Sequence, residues 1–457
     1  MTYRFIQLQA FSGFSLFFFF LSFLSPQNLL HAQYFNTPGA KIRDFEGVFR
    51  IDSIPITVSG LPPKIDSSFG LAKVCLNIDH LRTSDLKIEL LSPDGTSIWL
   101  TNRNGSETGQ NYMNTCFRSN GFNGYIHSGK APFAGEFIPD GRMSFLNNGQ
   151  NPNGIWYLLV QDLASGKKGV LNYFNLEFSA NPNPNSGLGG CSFESPELCR
   201  MPEKGNALLP DLVTLPFFTD SQIKEYPQDD PNYPGHLKLA ISIANLGDGP
   251  IEVFGLHEWR CADTIVDSTT VCPDGKKARQ ILYQRIYSLS ENKKLTYTDV
   301  PTNSNYYDDK PGHNHYHVDD WVEFRLVKVK RGRRGSVKHK EVIAQSSKIS
   351  YCLFDSGICN DNDNVCRFEN INYGAGNLAN YGLGAYSSCH SNKQGISVGA
   401  YDTYGMMYEG QFLTIPKGTR NGDYLVEVEL DPLNKVAEKN KANNLLSFPI
   451  TLRKQVP

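Results

Sequence analysis

Three histidines occupy alternate positions within residues 313–317, which read HNHYH. Side chains two residues apart diverge on a helix, whereas on a β-strand they share one face. Residues 321–326 alternate in polarity and are rich in aromatic and β-branched side chains, as strands are. The spacing therefore predicts a strand on which His313, His315 and His317 point the same way and form a donor set for Cu or Zn. The alternative is a polar strand face that carries histidines by chance. It is the weaker one, because the whole chain has only 10 His and three of them fall within these five residues.

The whole chain has the composition of an all-β protein. Strand-like runs alternate with turns rich in Gly, Pro and Asn, and long helical stripes are scarce. A length of 457 residues predicts two or three domains. The net charge of −2 argues against nucleic acid and against a strongly charged membrane surface as partners. We predict two β-sandwich-like domains joined by a flexible linker.

Residues 1–32 have the features of a secretory signal peptide. Arg4 gives a positive start, residues 14–24 are apolar, and Ala32 ends a plausible cleavage site. A membrane anchor is the alternative, but the apolar stretch is short for a spanning helix. The protein is therefore predicted to be secreted or extracytoplasmic, with no membrane association after cleavage.

The cysteines fit an oxidising compartment. There are 10, an even number, and no C-x-x-C pair that would indicate a zinc site. Nearness in sequence predicts these disulfides: Cys75/Cys116, Cys191/Cys199, Cys261/Cys272, Cys352/Cys359 and Cys366/Cys389.

Residues 40–180 resemble the P domain, the β-sandwich that follows the catalytic domain in proprotein convertases. The resemblance is carried by these segments: His80, residues 84–90 (SDLKIEL), 92–96 (SPDGT), 153–158 (NGIWYL), Asp162 and 169–171 (GVL). It implies a stabilising or surface-binding module. Asp79, Asp85 and Asp162 are candidates for a structural Ca²⁺, although capping of turns is the favoured interpretation. No serine-protease nucleophile motif occurs in the chain.

A linker is predicted at residues 181–209, where residues 181–190 read NPNPNSGLGG and offer nothing to bury. Such a linker predicts two independently folded domains with little contact required between them.

Residues 210–453 resemble the lysyl oxidase catalytic domain. The matching segments follow the order of that family: 210–213 (PDLV), 244–247 (ANLG), 313–317 (HNHYH) with Asp320 and Phe324, 348–355 (KISYCLFD), 394–404 (QGISVGAYDTY), 422–424 (GDY) and 443–444 (NN). The resemblance implies that His313, His315 and His317 bind Cu²⁺. It also implies that Lys348 and Tyr404 cross-link to form lysine tyrosylquinone. Tyr401 is the rival tyrosine, and Asp402 is the candidate general base, with capping of a turn as its equal alternative.

Three family cysteines are replaced, by Gly312, Ala400 and Gly410, and residues 360–380 have the appearance of an inserted loop. The cross-link requires copper, O₂ and movement of the segment that carries Lys348, so the two side chains need not be adjacent beforehand.

The resemblance implies a secreted copper- and quinone-dependent primary-amine (protein-lysine 6-) oxidase. It would convert primary amines, with peptidyl lysine as one candidate, and O₂ to aldehydes, ammonia and hydrogen peroxide. One alternative is a non-catalytic secreted copper-binding β-domain protein. A less favoured one is a peptidase-associated protein, which the P domain alone suggests.

Overall fold

The computed structural model describes residues 31–455, except residues 49, 67, 181, 183–189, 311–312, 314, 332–336 and 390–392. It consists of two β-rich units, a first unit (residues 31–180) and a second unit (residues 190–455). The all-β prediction is confirmed. The predicted signal peptide lies almost wholly outside the described residues; His31 and Ala32, at its end, already belong to a strand. Among the described residues, no helix has the length and apolarity needed to cross a bilayer.

Ten strands occur among the described residues of the first unit. They are β1 (His31–Asn36), β2 (Ala40–Ile42), β3 (Asp52–Val58), β4 (Phe69–His80), β5 (Leu86–Leu91), β6 (Ser97–Asn102), β7 (Tyr112–Phe117), β8 (Gly135–Phe137), β9 (Gly154–Asp162) and β10 (Gly169–Ala180). Short 3₁₀ turns lie at Thr83–Asp85, Ile126–Ser128 and Met143–Phe145.

Two sheets of the first unit form a sandwich. One has the order β1-β10-β4-β7-β8, with β2 also paired to β10, and the other has the order β3-β9-β5-β6. Alternate residues of both sheets turn inward and build a single apolar core around the fully buried Trp156 and Phe178. Cys75 and Cys116 lie opposite each other on β4 and β7 and form a disulfide. Strand β6 is the last strand of the smaller sheet.

The described part of the second unit contains twenty strands. They are β11 (Ala207–Leu208), β12 (Leu212–Leu215), β13 (Ile223–Glu225), β14 (His236–Leu239), β15 (Ile241–Asn245), β16 (Ile251–Cys261), β17 (Thr264–Val266), β18 (Arg279–Leu289), β19 (Leu295–Asp308), β20 (His315–Arg331), β21 (Val337–Gln345), β22 (Ile349–Tyr351), β23 (Gly357–Ile358), β24 (Arg367–Phe368), β25 (Ile371–Asn372), β26 (Gln394–Ile396), β27 (Ala400–Tyr404), β28 (Phe412–Thr414), β29 (Gly422–Leu430) and β30 (Leu445–Leu452). The helical elements are α1 (Phe217–Ser221) and a 3₁₀ turn at Pro196–Leu198.

The main sheet of the second unit has the order β17-β16-β18-β19-β20-β29-β30, with β11, β21, β22 and β26 attached to its strands. Smaller sheets, β12-β15-β27-β23 and β13-β14-β28, contribute to the same apolar core. Asp320 has a φ of +55° and marks a bulge in β20. Before the bulge β20 pairs with β19, and after it with β29.

The disulfide predictions are correct for three pairs and wrong for two. Cys75–Cys116, Cys191–Cys199 and Cys261–Cys272 form as expected. The remaining four cysteines form a nested pattern, Cys352–Cys389 around Cys359–Cys366. Closeness in sequence fails here because the end of β22 brings Cys352 against Cys389, while the inserted loop closes on itself through Cys366.

The linker prediction covers residues 181–209, and the later part of that range is folded onto the second unit. Cys191–Cys199 closes a short loop, and β11 pairs with β18. Cys191 and Cys199 lie in the same apolar cluster as Leu208 and Tyr287.

The two units contact each other, and whether they fold independently stays a prediction. The guanidinium of Arg142 forms a buried ion pair with Asp355 of the second unit, with Nη1 and Oδ2 3.0 Å apart. Glu107 accepts hydrogen bonds from Lys224 and Tyr226, at 2.9 and 2.7 Å. The composition of a linker indicates only the properties of the connecting segment itself. Packing between domains depends on surfaces that lie far from the linker in sequence.

Candidate metal centre

The three histidines of the HNHYH segment come together at the start of β20. His315 and His317 are on the same face of the strand, and His313 lies just before it. The Nε2 atom of His317 lies 3.1 Å from Nδ1 of His313 and 2.9 Å from Nε2 of His315. One ring nitrogen from each histidine falls within a group no wider than 4.8 Å. Convergent imidazole nitrogens of this kind are a donor set for Cu or Zn.

The protein environment keeps these imidazoles neutral. Burial lowers the pKa of His313 and of His317 to about 3, with smaller contributions from nearby cations, chiefly Arg103 for His313. Burial also lowers the pKa of His315 well below its usual value. A neutral imidazole has a free lone pair for a metal, so the site is prepared for an ion without the loss of a proton.

Asp308 orients the histidines from the neighbouring strand. It pairs in register with His315 across β19 and β20, and it is buried. Its Oδ2 lies 3.2 Å from Nδ1 of His313 and 3.8 Å from Nδ1 of His317. A carboxylate behind metal-binding histidines fixes their ring orientation and raises their basicity. Asp308 is absent from the residues predicted from the sequence, although an Asp five residues before a histidine triad is a signal that could have pointed to it.

Tyr404 borders the same site. It ends β27, and its ring lines a small cavity together with His313, His315 and His317. Its hydroxyl is fixed by the backbone of Cys352, because it accepts from the amide nitrogen at 2.5 Å and donates to the carbonyl oxygen at 2.9 Å. The ring is stacked on Tyr351, with centroids 3.7 Å apart and an angle of 4° between the planes.

Lys348 is not brought to this cavity. It is exposed and lies immediately before β22. Ile349 and Tyr351 turn toward the core, so strand alternation places Lys348 with Ser350 on the opposite side from the ring that stacks on Tyr404. A bond between Lys348 and Tyr404 requires this segment to turn over.

Asp402 and Tyr401 occupy opposite faces of β27. Asp402 shares the face of Tyr404 and is fully enclosed, and burial together with the nearby Asp355 raises its pKa well above the usual range. A carboxyl held protonated in this way is poorly suited to act as a general base at neutral pH. Tyr401 points toward the first unit, where its ring lies 6.2 Å from that of Tyr125.

The first unit completes the cavity around the histidines. Trp99, Asn102 and Arg103 line it together with the histidines, Tyr404 and Tyr408. Its volume is about 20 Å³, room for about one water molecule. No signal in the sequence indicates this contribution, because strand patterns tell which residues face outward but not which surfaces meet.

The carboxylates considered for Ca²⁺ have protein partners instead. Oδ1 of Asp85 accepts from Nε of Arg82 at 2.5 Å, and Oδ2 of Asp162 lies 3.2 Å from Nε2 of His80. Asp79 accepts from the amide of Asn172 at 2.9 Å. Across the described residues, the histidine triad is the group of potential ligands that converges on one point.

Comparison with known proteins divides the chain in the same way. Residues 71–178 match the family model of the proprotein convertase P-domain, and residues 275–456 match that of lysyl oxidase. Human lysyl oxidase homolog 1 is 30% identical over 135 residues, which are 29% of this chain and 18% of that protein. Human protein-lysine 6-oxidase is 27% identical over 139 residues, 30% of this chain and 26% of that protein. The match thus spans about a quarter or less of these relatives' length.

Among solved structures, a complex of an Aeromonas sobria serine protease with its chaperone is 19% identical and covers 34% of this chain and 27% of that chain, with a TM-score of 0.20. The same protease alone gives a TM-score of 0.19 at 18% identity, over 33% of this chain and 27% of that one. The TM-scores are too low to support an argument about fold or activity. The family matches therefore show two regions of likeness in this chain, residues 71–178 to the proprotein convertase P-domain and residues 275–456 to lysyl oxidase.

Proposed function

We propose that this protein is a copper-dependent amine oxidase of lysyl oxidase type, which oxidises primary amines to aldehydes and releases ammonia and hydrogen peroxide. One observation carries the proposal. Three neutral imidazoles converge within 4.8 Å beside a tyrosine, in a region that matches the lysyl oxidase family. Peptidyl lysine is the candidate macromolecular substrate, and O₂ is the electron acceptor.

Copper held by His313, His315 and His317, together with a quinone derived from Tyr404, would supply the two-electron oxidation of the amine and the passage of those electrons to O₂. The chain's own residues prepare this chemistry. Asp308 holds the imidazoles in orientation, and the backbone of Cys352 fixes the hydroxyl of Tyr404. The enclosed cavity limits access of water to the reacting groups.

Lys348 is proposed as the second residue of the quinone. Its support is the motif at residues 348–355, which has the lysine, the cysteine and the aspartate in the family's order. Asp355 of that motif is buried and accepts from the amide and hydroxyl of Ser397, at 2.8 and 2.6 Å, so the downstream half of the motif is anchored. Lys348 lies at the exposed upstream end of the motif.

Asp402 was predicted as the general base. Its raised pKa favours a protonated carboxyl, and its closeness to Tyr404 contributes to the raised pKa of that tyrosine. An Asp402→Asn variant separates the two roles. If Asp402 accepts the substrate's proton, kcat of the variant falls by orders of magnitude with an altered pH profile. If Asp402 is only a buried neutral partner of Tyr404, kcat falls modestly.

The test of the function is amine-dependent peroxide release by copper-loaded protein across a panel of primary amines and lysine peptides. We expect activity in the natural protein, and we expect His315→Ala to lose both copper and activity. His257→Ala, which changes an exposed histidine of the same unit, is the matched control and should keep both. Absence of peroxide with every amine, at full copper occupancy, would contradict the proposal.

The second candidate function is a copper-binding module without catalysis. The position of Lys348, exposed and turned away from Tyr404, favours it. Such a protein would bind one copper per chain in a triad-dependent manner and would release no peroxide. Copper stoichiometry and peroxide release, measured on the same preparation, therefore distinguish the two functions.

An extracytoplasmic location is part of the proposal. All ten cysteines are paired in five disulfides, which form and persist in oxidising compartments.

A further inference from the structure

The first unit brings the last strand of its smaller sheet, β6, to the candidate metal centre. The outer backbone edge of β6 is paired within the first unit, where the amide of Gly141 donates to the carbonyl of Trp99 at 2.7 Å. The second unit meets β6 through a side chain. The indole of Trp99, on β6, lies with its centroid 4.7 Å from the ring of Phe354 and 6.0 Å from that of His315. The ring therefore lies between the two units, directly beside a candidate copper ligand.

Trp99 lies between two spaces. The inner one is the cavity of about 20 Å³ that is lined by the three histidines and Tyr404. The outer one is a groove of about 310 Å³ between the units, whose walls include Lys87 and Glu89 from the first unit and Tyr307 and Ser387 from the second. Trp99, His313 and His315 line both spaces. The indole is therefore part of the wall that separates the groove from the inner cavity.

The indole is held in position from the first unit. Nζ of Lys87 lies 4.6 Å from the ring centroid, and the same ammonium forms a 2.9 Å ion pair with Glu89. Lys87 is almost fully buried, which strengthens a cation–π contact. Opposite charges close to each other leave this wall with little net charge, so the groove does not strongly repel a cationic amine.

We propose that the first unit supplies one wall of the amine site, that amines reach the histidines through this groove, and that Trp99 determines which amines pass. The inference rests on the proposed function. A groove of about 310 Å³ that narrows at an indole suits a primary amine on a slender, unbranched chain, such as an alkylamine or a lysine side chain. It disfavours amines that are branched or aromatic next to the amino carbon.

The first test uses Trp99→Ala and Trp99→Phe, with Phe122→Ala as a matched control, because Phe122 is an aromatic residue of the same unit that is 93% exposed. Opening the inner cavity should change the ratio of kcat/KM for benzylamine to that for butylamine by about tenfold in favour of benzylamine, a typical size for a pocket contact. Trp99→Phe should give an intermediate ratio. An unchanged ratio in a folded Trp99→Phe and Trp99→Ala pair would overturn the proposal.

A second readout does not depend on catalysis. EDTA should extract Cu²⁺ about tenfold faster from Trp99→Ala than from the natural protein or from Phe122→Ala, as expected when a closed cavity is opened to solvent. If the natural protein binds copper but releases no peroxide, the proposed function fails while this measurement still tests the wall. Equal extraction rates in all three proteins would contradict the role of Trp99 as a wall of the inner cavity, whatever the amine oxidase activity.

The entrance itself is tested by labelling. Because all ten cysteines are in disulfides, Ser97→Cys adds a single free thiol in the groove. Ser128→Cys adds one in a separate cavity of about 890 Å³ between the units, which the three histidines of the candidate metal centre do not line. A bulky maleimide on Ser97→Cys should lower kcat/KM for all amines at least tenfold, and the same label on Ser128→Cys should leave it unchanged. The reverse pattern would place the entrance on the other side and overturn the proposal.

Discussion

Arg142 and Asp355 join the two units through a buried ion pair. Nη1 of Arg142 lies 3.0 Å from Oδ2 of Asp355, and their side chains are 8% and 0% exposed. Asp355 belongs to the segment that also carries Cys352, whose backbone holds the hydroxyl of Tyr404. The first unit is thereby linked to the segment that positions the candidate cofactor tyrosine.

Removal of one partner from this pair should be costly. Arg142→Ala leaves a buried carboxylate without its cation, and the expected loss is about 3–5 kcal/mol in the free energy of unfolding. Arg50→Ala is the control, because its ion pair with Glu46 is exposed and should contribute less than about 1 kcal/mol. Denaturant unfolding measures both. Equal, small effects would show that the ion pair does not hold the units together.

The packing between the units also predicts that they stay together without the linker. A protease site introduced within residues 183–189 should be cut to give two fragments that co-elute as one complex in size-exclusion chromatography. The ion pairs of Glu107 and Arg142 and the contacts of Trp99 would hold them. Fragments that separate at micromolar concentration would favour the independent domains that the linker composition suggests.

Asp308 should tune copper affinity. Asp308→Asn removes the negative charge behind His313 and His317, and loss of such a partner typically weakens metal binding 10–100-fold. Asp309→Asn is the matched control, since its carboxylate pairs with Lys277 at the surface. Competition titration with a chelator of known affinity gives both constants. A Cu²⁺ affinity in Asp308→Asn equal to that of the control would remove Asp308 from the site.

Much of this architecture is predictable from sequence, and the exceptions have physical causes. Alternation of polarity in residues 422–430 and from the histidines onward matches β29 and β20, because burial of one face imposes a period of two. Residues 237–244 alternate in a similar way, but they form two strands, β14 and β15, that join different sheets on either side of Ala240. Local alternation cannot detect a change of sheet.

The candidate metal centre also contains residues that local sequence predicts and residues that it does not. The convergence of His313, His315 and His317 follows from local geometry, so the sequence suffices for it. The contributions of Trp99 and Arg103 arise from contact between distant surfaces, which no local pattern encodes. The position of Lys348 depends on which way a short strand faces, and family motifs do not specify that before the cofactor forms.

Lys238 predicts a dependence of stability on pH. Burial lowers its pKa from 10.5 to about 8, with help from Arg103 and against the pull of Glu107. Below pH 8 the charged ammonium therefore lowers the free energy of unfolding. This cost disappears as the pH rises from about 8 to 10.5. Lys238→Met should stabilise the protein at pH 7 by about 1–3 kcal/mol.

The gain from Lys238→Met over the natural protein should shrink across the same pH window. The control is Lys41→Met, an exposed lysine on β2, which should change stability by less than about 0.5 kcal/mol. Urea unfolding at several pH values provides the comparison. A gain that is independent of pH from 7 to 10.5 would show that Lys238 titrates normally.

A cross-link between Lys348 and Tyr404 is the decisive feature of the proposed amine oxidase, because a copper-binding module has no need of it. Copper-loaded, aerated protein is digested, and its peptides are mapped by mass spectrometry, with Lys348→Arg treated in parallel. We predict a peptide in which Lys348 and Tyr404 are joined, with a quinone absorbance that phenylhydrazine abolishes, and neither signal in Lys348→Arg despite full copper occupancy. Intact, unlinked peptides of both residues in fully copper-loaded protein would contradict the proposed function.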